Sequence, residues 1–354
     1  MSKIWVLGAG QLGAMLQHAA MPLSLTVKTI DIHATEVPAP APDDIVTVEL
    51  EHWPETAVTT SLSSHPNFLN RDSLKIFADR SIQKHLLDGL DLPHASWRLV
   101  DSNTTAESLH ETLGSRILLK RRSGGYDGKG QLWLNSETES EIPEQWLNQS
   151  IAEQKIDYDE EVSLIGARNS KGECVFYPLT VNLHYQGILL ASVSPIKSLQ
   201  ALQSDAQQML STLMEQLDYV GVMAMECFQV GNRLFINEIA PRVHNSGHWT
   251  QAGASISQFE MHLRAVVNLP VVEPIVKNTS VMLNTLGMAY NEKWHAIAGA
   301  EVYWYGKCVR PMRKLGHINF SLPDKNRTAE SLNQLKPLLD DYYAEAIDWC
   351  ISHI

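Results

Sequence analysis

The chain begins with four apolar residues, Ile4-Trp5-Val6-Leu7, that run straight into Gly8-Ala9-Gly10-Gln11-Leu12-Gly13. A short apolar run, a glycine turn and a helical reading over residues 14–20 leave few folds open. Residues 26–30 read as a second strand ending at Asp31, and residues 43–51 as a third. Strand–turn–helix–strand order predicts the opening of a doubly wound parallel sheet. Between the second and third strands, the alternating prolines of Glu36-Val37-Pro38-Ala39-Pro40-Ala41-Pro42 remove backbone donors and predict an extended loop. Residues 75–87 read as a helix, and Leu92-Pro93 breaks the chain behind it. A first domain is therefore expected to end near residue 95.

The Gly8-x-Gly10-x-x-Gly13 spacing has three readings of similar weight. With Asp31 placed 18 residues past Gly13, it fits a dinucleotide fingerprint and so a nicotinamide-dependent dehydrogenase. The free amides and dipole of a helix N-terminus can equally hold one phosphate of another ligand. It can also be a tight turn with no ligand.

Composition narrows the class. The chain has 354 residues, 44% hydrophobic and 19% charged, enough for two or three cored domains and too apolar for disorder. A net charge of −12 disfavours a nucleic-acid partner, although a small anion needs only a local positive pocket. No apolar stretch approaches the roughly 18 residues of a membrane span. Cys174, Cys227, Cys308 and Cys350 are scattered, as expected of reduced thiols in a cytoplasmic protein.

The later sequence favours phosphoryl chemistry. Residues 117–120 read as a strand that delivers Lys120 to Arg121-Arg122-Ser123-Gly124-Gly125-Tyr126-Asp127-Gly128-Lys129-Gly130, a phosphate-sized loop. Residues 151–154 and 161–167 read as further strands, giving a small α+β segment over 96–178. Two later strands each carry an acid in an apolar run: Glu226 in Val222-Met223-Ala224-Met225-Glu226-Cys227-Phe228, and Glu238 in Leu234-Phe235-Ile236-Asn237-Glu238-Ile239. A carboxylate buried that way needs a cation, and magnesium suits one or two carboxylates completed by nucleotide phosphates. A two-residue turn at Gly231-Asn232 would pair Glu226 with Asn237. An odd connection, Gly231-Asn232-Arg233, pairs it with Glu238 on the same face. The odd connection and a shared metal are expected. Arg242 follows closely enough to meet charge on a transferred group. His244 and His248 have zinc-pair spacing, but Asn245-Ser246-Gly247 between them argues against a helix and no third ligand is evident.

Gly8–Gly13, Arg121–Gln131, Glu153-Gln154, Asn237–His248 and Arg313-Lys314-Leu315-Gly316-His317 together resemble the 5-(carboxyamino)imidazole ribonucleotide synthase family of ATP-grasp ligases. The resemblance runs in order from residue 4 to about 318. It implies an α/β, three-domain ATP-grasp fold: an N-terminal Rossmann-like parallel sheet (1–95), a small α+β lid (96–178) and a C-terminal α+β ATP-grasp domain with the metal site (179–354). It implies carboxylation of the amine of 5-aminoimidazole ribonucleotide by bicarbonate and ATP through carboxyphosphate, in purine synthesis. Two magnesium ions, with manganese as a substitute, and a homodimer come with it. Related ATP-grasp ligases, such as a formate-dependent glycinamide ribonucleotide transformylase or a biotin carboxylase, are the nearer rivals. A non-enzymatic ATP-binding regulator is a further one.

Position by position, the resemblance assigns ATP contacts to Arg80, Lys120, Gly125, Tyr126, Asp127, Gly128, Lys129, Gly130 and Gln131. Glu153, Gln154, Lys155 and Ile156 form the adenine strand. Glu161 takes the ribose hydroxyls, with His184, Asn237 and Glu238 also at the nucleotide. Glu226 and Glu238 hold metal. Arg242 and His244 lie at the bicarbonate, and Asp127 orients the substrate amine. Lys307 and Arg313 grip the ribonucleotide phosphate with the amides of Gln11 and Leu12. Met312 stands where the family has glycine in Arg310-Pro311-Met312-Arg313-Lys314, at a position that suggests a positive φ. Under this reading the spacing of Asp31 is a coincidence of a shared sheet.

Overall fold

The computed structural model describes residues 2–50, 54–125, 130–136 and 141–354. Three strands, β1 (Ile4–Leu7), β2 (Val27–Ile30) and β3 (Ile45–Val48), form a parallel sheet in the order β2-β1-β3. β1 and β3 are largely apolar, as in a sheet covered on both faces, while the edge strand β2 (Val-Lys-Thr-Ile) exposes Lys28. Helix α1 (Gln11–Ala20) starts directly at the glycine turn and buries Leu12, Met15 and Leu16.

The helix expected over 75–87 is two helices. After α2 (Ala57–Leu62), α3 (Arg71–Phe77) ends at Ala78, and α4 (Arg80–Gly89) restarts with Asp79 as its N-cap, accepting from the Ser81 amide. Asp79 competes for backbone donors and so breaks the helical run. Its carboxylate also takes a two-pronged bond from Arg122.

A four-stranded antiparallel sheet follows, in the order β4 (Trp97–Val100), β7 (Ser150–Gln154), β5 (Arg116–Arg121), β6 (Gln131–Asn135), backed by α5 (Ala106–Leu113). It stops at Gln154. The next strands, β8 (Glu160–Arg168) and β9 (Cys174–Phe176), pair into a separate antiparallel sheet of nine strands, so the segment expected as 96–178 feeds two sheets. The large sheet adds β10 (Thr180–Tyr185), β11 (Ile188–Ser194), β12 (Gly221–Val230), β13 (Arg233–Ala240), β14 (Ser280–Leu286), β15 (Glu301–Trp304) and β16 (Lys314–Phe320). Its order is β13-β12-β8-β10-β11-β14-β16-β15, with β9 on β8.

Both faces of that sheet are covered. One packs Leu164, Met223 and Met225 against α6 (Gln203–Gln216) and the terminal helices at Lys325–Leu335 and Tyr343–His353. The other packs Ile165, Val222 and Ala224 against α1 and the helix Gln258–Val266. This second face turns polar toward one end, where register places Ser163 opposite Glu226, and Asn182 opposite Glu161. No helix among the described residues is long and apolar enough to cross a membrane.

Candidate active site

Glu226 and Glu238 face each other across the β12–β13 ladder, as expected, but by a different route. The turn is the two-residue Gly231-Asn232, with Val230 opposite Arg233, so the expected odd connection is wrong. A β-bulge corrects the register instead. Cys227 pairs with Ile236 and Glu226 with Glu238, leaving Asn237 as the extra residue. A bulge inserts one residue and re-aims the chain, which spacing at a turn cannot reveal. Asn237 and Glu238 consequently meet the cations facing this hairpin: Lys120 Nζ of the small sheet donates to Asn237 Oδ1 at 2.9 Å, and Arg80 of α4 meets Glu238 Oε2 at 3.2 Å.

Burial pushes the Glu226 carboxyl up to about 7, and the facing Glu238 and nearby Glu161 add to it, against the pull of His184. The donor set fits a hard divalent cation, which would remove both penalties. Among the described residues no group of three or more His, Cys, Asp or Glu forms a metal cluster. Folded Glu226 holds its proton more tightly than the unfolded chain, so its ionised form opposes folding as pH rises from 4.5 toward 7. Magnesium is therefore expected to raise Tm more at pH 8 than at pH 6, by about 1 kcal/mol in stability. Equal increments in thermal melts at the two pH values would remove this carboxylate pair as the cation site.

The nucleotide candidates gather around these acids. Glu153 lies buried between two lysines, Lys84 at 2.7 Å on one carboxylate oxygen and Lys120 at 2.6 Å on the other. Burial opposes its charge, but Lys120 and Lys84 outweigh that and hold the carboxyl at about 2. Glu161 pairs with His184 at 2.9 Å and accepts from the Tyr158 hydroxyl at 2.8 Å. Burial works against the His184 charge, yet the Glu161 bond raises its pKa overall. Arg80 donates to the carbonyls of Arg121 and Gly125, fixing the stem of the glycine loop. Gly130 closes that stem by accepting from the Arg121 amide, with Gln131 opposite Lys120 on β6. Gln154 ends the strand exposed, and beyond it Lys155 pairs with Asp157 and Ile156 is half-buried. Tyr126, Asp127, Gly128 and Lys129 lie outside the described residues.

Arg242 and His244 follow β13. The His244 Nδ1 meets Ser246 Oγ at 2.9 Å, and its Nε2 lies 3.6 Å from Glu226. Burial, then the Arg242 charge, holds the imidazole well below its ordinary pKa and so neutral. Behind it, Ser246 reaches Ser163 at 2.8 Å, and Asn182 joins Ser163 to Ser192 at 2.9 and 2.7 Å.

At the first glycine turn the structure adds a group that spacing did not point to. Glu49, just past β3, lies against α1, where its Oε1 accepts from the Gly10 amide at 2.8 Å. A Cβ on Gly8 would lie 2.2 Å from Glu49 Cγ, so this close approach requires glycine. Burial raises the Glu49 pKa, while the Gly10 and Gly13 amides and the charges of Arg242 and Lys307 work the other way. Glu49 takes the Gly10 amide that a dinucleotide fingerprint would offer to a pyrophosphate, which disfavours the dehydrogenase reading, while the Lys307 and Arg242 charges that bear on the same turn can still offset a single phosphate there. Asp31 accepts from the His33 amide in a local turn instead. Lys307 bonds the Gln11 side chain, while Leu12 is buried in the core. Arg313 donates within its own loop, to Cys308 O at 3.1 Å. The same loop holds Met312 at φ +58, the conformation its position suggested. Met312→Gly is expected to be more stable than Met312→Ala by about 1 kcal/mol in urea unfolding, because only glycine escapes the left-handed penalty.

Glu49 and Lys84 were invisible as site residues in sequence. Lys84 had one available signal, since it lies one helical turn from Arg80.

The chain matches the ATP-grasp domain family over residues 85–259 and the phosphoribosylaminoimidazole carboxylase C-terminal domain over residues 280–331. It is 47% identical over 352 residues to the N5-carboxyaminoimidazole ribonucleotide synthase of Escherichia coli, covering 99% of both chains. It superposes on the N5-carboxyaminoimidazole ribonucleotide synthetase of Thermus thermophilus with a TM-score of 0.86 at 36% identity, over 95% of this chain and 98% of that one. The N5-carboxyaminoimidazole synthase of Aspergillus clavatus, solved in complex with ADP and 5-aminoimidazole ribonucleotide, superposes with a TM-score of 0.81 at 26% identity, over 100% of this chain and 99% of that one. Full-length identity, the two domain matches and the shared architecture place the chain in the N5-carboxyaminoimidazole ribonucleotide synthase family of ATP-grasp ligases.

Proposed function

We propose that this ligase uses ATP and bicarbonate to carboxylate the exocyclic amine of 5-aminoimidazole ribonucleotide, a step of purine synthesis. The observation that supports it most is the convergence of acidic and basic groups around the β12–β13 hairpin and the first glycine turn. The facing pair Glu226 and Glu238 lies beside Lys120 and Arg80 on one side and His244 on the other. The charges of Arg242 and Lys307 both bear on Glu49 at the first glycine turn.

Bicarbonate is a poor electrophile. Its oxygen attacks the γ-phosphorus, the bond to the ADP oxygen breaks, and carboxyphosphate results. The substrate amine then forms a bond to the carboxyl carbon, either of carboxyphosphate, from which phosphate leaves with the electron pair of the broken C–O bond, or of the carbon dioxide that carboxyphosphate releases as phosphate departs, and the amine loses a proton. Lys120 and Arg80 bind the transferring phosphate, and Arg242 steadies charge on the carboxyl group. Neutral His244 is available to hold or accept a proton at Nε2. Lys307, with Gln11, grips the ribonucleotide phosphate. Magnesium held by Glu226 and Glu238 would neutralise charge on the β- and γ-phosphates. The small sheet and its glycine loop exclude water from the reactive intermediate.

ATP hydrolysis measured with and without the ribonucleotide, at varied bicarbonate, tests this reading. Stimulation by the ribonucleotide is expected, and none would leave only the superfamily chemistry. Magnesium-ATP is expected to raise Tm and NAD to leave it unchanged. The homodimer implied by the family resemblance is part of this reading, and sedimentation would check it.

A further inference from the structure

Helix α4 presents Arg80, Lys84 and Asp88 at four-residue spacing, along one face. Each grips a different part of the small sheet. Arg80 takes the carbonyls of Arg121 and Gly125, at the glycine loop's stem. Asp88 accepts from Trp97 Nε1 at 3.0 Å and meets His94 Nε2 at 3.0 Å, at the sheet's entry. Lys84, between them, ends on Glu153.

Lys84 is an unusual lysine. Its side chain is 3% exposed, and Glu153 and Lys120 are each 6% exposed. Burying an ammonium is costly, so an isolated pair with Glu153 would be the economical arrangement. Instead one carboxylate serves two ammonium groups, one per oxygen, and the buried trio carries a net positive charge. Burial, and then the Lys120 charge, pull the Lys84 pKa down against the favourable pull of Glu153. Lys120 is the member that also reaches the site, through Asn237 in the bulge beside Glu238.

We propose that Lys84 is a positioning residue: by neutralising Glu153 from behind, it leaves the Lys120 ammonium aimed at Asn237 with its charge uncancelled for nucleotide phosphate. Without Lys84, Glu153 and Lys120 form a closed neutral pair, and the carboxylate draws the ammonium back toward β7. This rests on the reading of Lys120 as a phosphate contact.

The test is the affinity of the full-length protein for magnesium-ADP by calorimetry, with adenosine as a competitive inhibitor of ATP hydrolysis for comparison. Lys84→Met is expected to weaken magnesium-ADP binding about tenfold or more and to leave adenosine inhibition unchanged, since only phosphate senses Lys120. Adding Glu153→Gln should restore most of the lost ADP affinity, because the carboxylate that captures Lys120 is gone. Wild-type ADP affinity in Lys84→Met would overturn the proposal. So would equal losses for ADP and adenosine, or a double variant as weak as the single one; each makes Lys84 a packing residue of the small sheet. If Lys84→Met alone unfolds, Lys84→Arg decides: its retained charge is expected to keep magnesium-ADP affinity within a few-fold of wild type, and a tenfold loss would overturn the proposal. Failure of the wild type itself to bind magnesium-ADP would sink the nucleotide reading, a result distinct from any variant effect.

Discussion

Glu238→Gln is expected to lower magnesium-dependent ATP turnover by on the order of a thousandfold, with an unchanged circular dichroism spectrum. The amide keeps the shape and one acceptor but removes a charge from the facing pair. Glu238 is about one-third exposed, so the fold loses little with its charge, and its Arg80 ion pair contributes roughly 1 kcal/mol or less at that exposure. Because Glu238 helps to raise the Glu226 pKa, the substitution should also lower it. Magnesium then meets a single carboxylate at neutral pH. Steady-state turnover at saturating ATP checks the first effect, and retention of full activity would remove Glu238 from the cation site.

Arg242→Met is expected to lower carboxylation of the ribonucleotide by about a hundredfold to a thousandfold, and to leave magnesium-ADP affinity within a few-fold of wild type. The asymmetry follows from where the guanidinium lies. It bears on Glu49 at the first glycine turn and on His244, whereas the nucleotide contacts proposed above centre on the Glu153–Lys120 pair. A charge that acts only on the developing carboxyl group is lost from the transition state and spared in the nucleotide complex. Product formation and calorimetry on the same preparation separate the two. Equal losses in both would place Arg242 at the phosphates instead.

What was legible in the sequence follows from local rules. Glu226 and Glu238 stood out because an acid inside an apolar strand breaks the ordinary pattern. Met312 was legible because a bulky residue replaced glycine where the chain turns, and its φ of +58 agrees. The facing of the two acids was also legible, yet its cause was not. A bulge at Asn237 depends on what β12 and the covering chain demand, and nothing in Phe235-Ile236-Asn237-Glu238 announces it. The chain crossing from α4 lies on that strand edge, where the Ile236 amide donates to Pro93 O at 2.7 Å. Residues 75–87 read as one helix because Asp79 looks like a helical surface residue until its capping bonds are seen. Lys84 and Glu49 escaped for a tertiary reason. Each meets partners 69 and 39 residues away in sequence, Glu153 and Gly10.

The bulge also separates two jobs that a regular hairpin would combine. Alignment of the acids is settled beside them, at Asn237, and no longer by the count of residues at the Gly231-Asn232 tip. With roughly 3.4 Å per residue, the tip lies about 15 Å away from Glu226. The length of that end is therefore no longer what aligns the acids, and a reporter peptide spliced between Gly231 and Asn232 should leave ligation intact provided the Gly231 amide keeps its bond to Asp159.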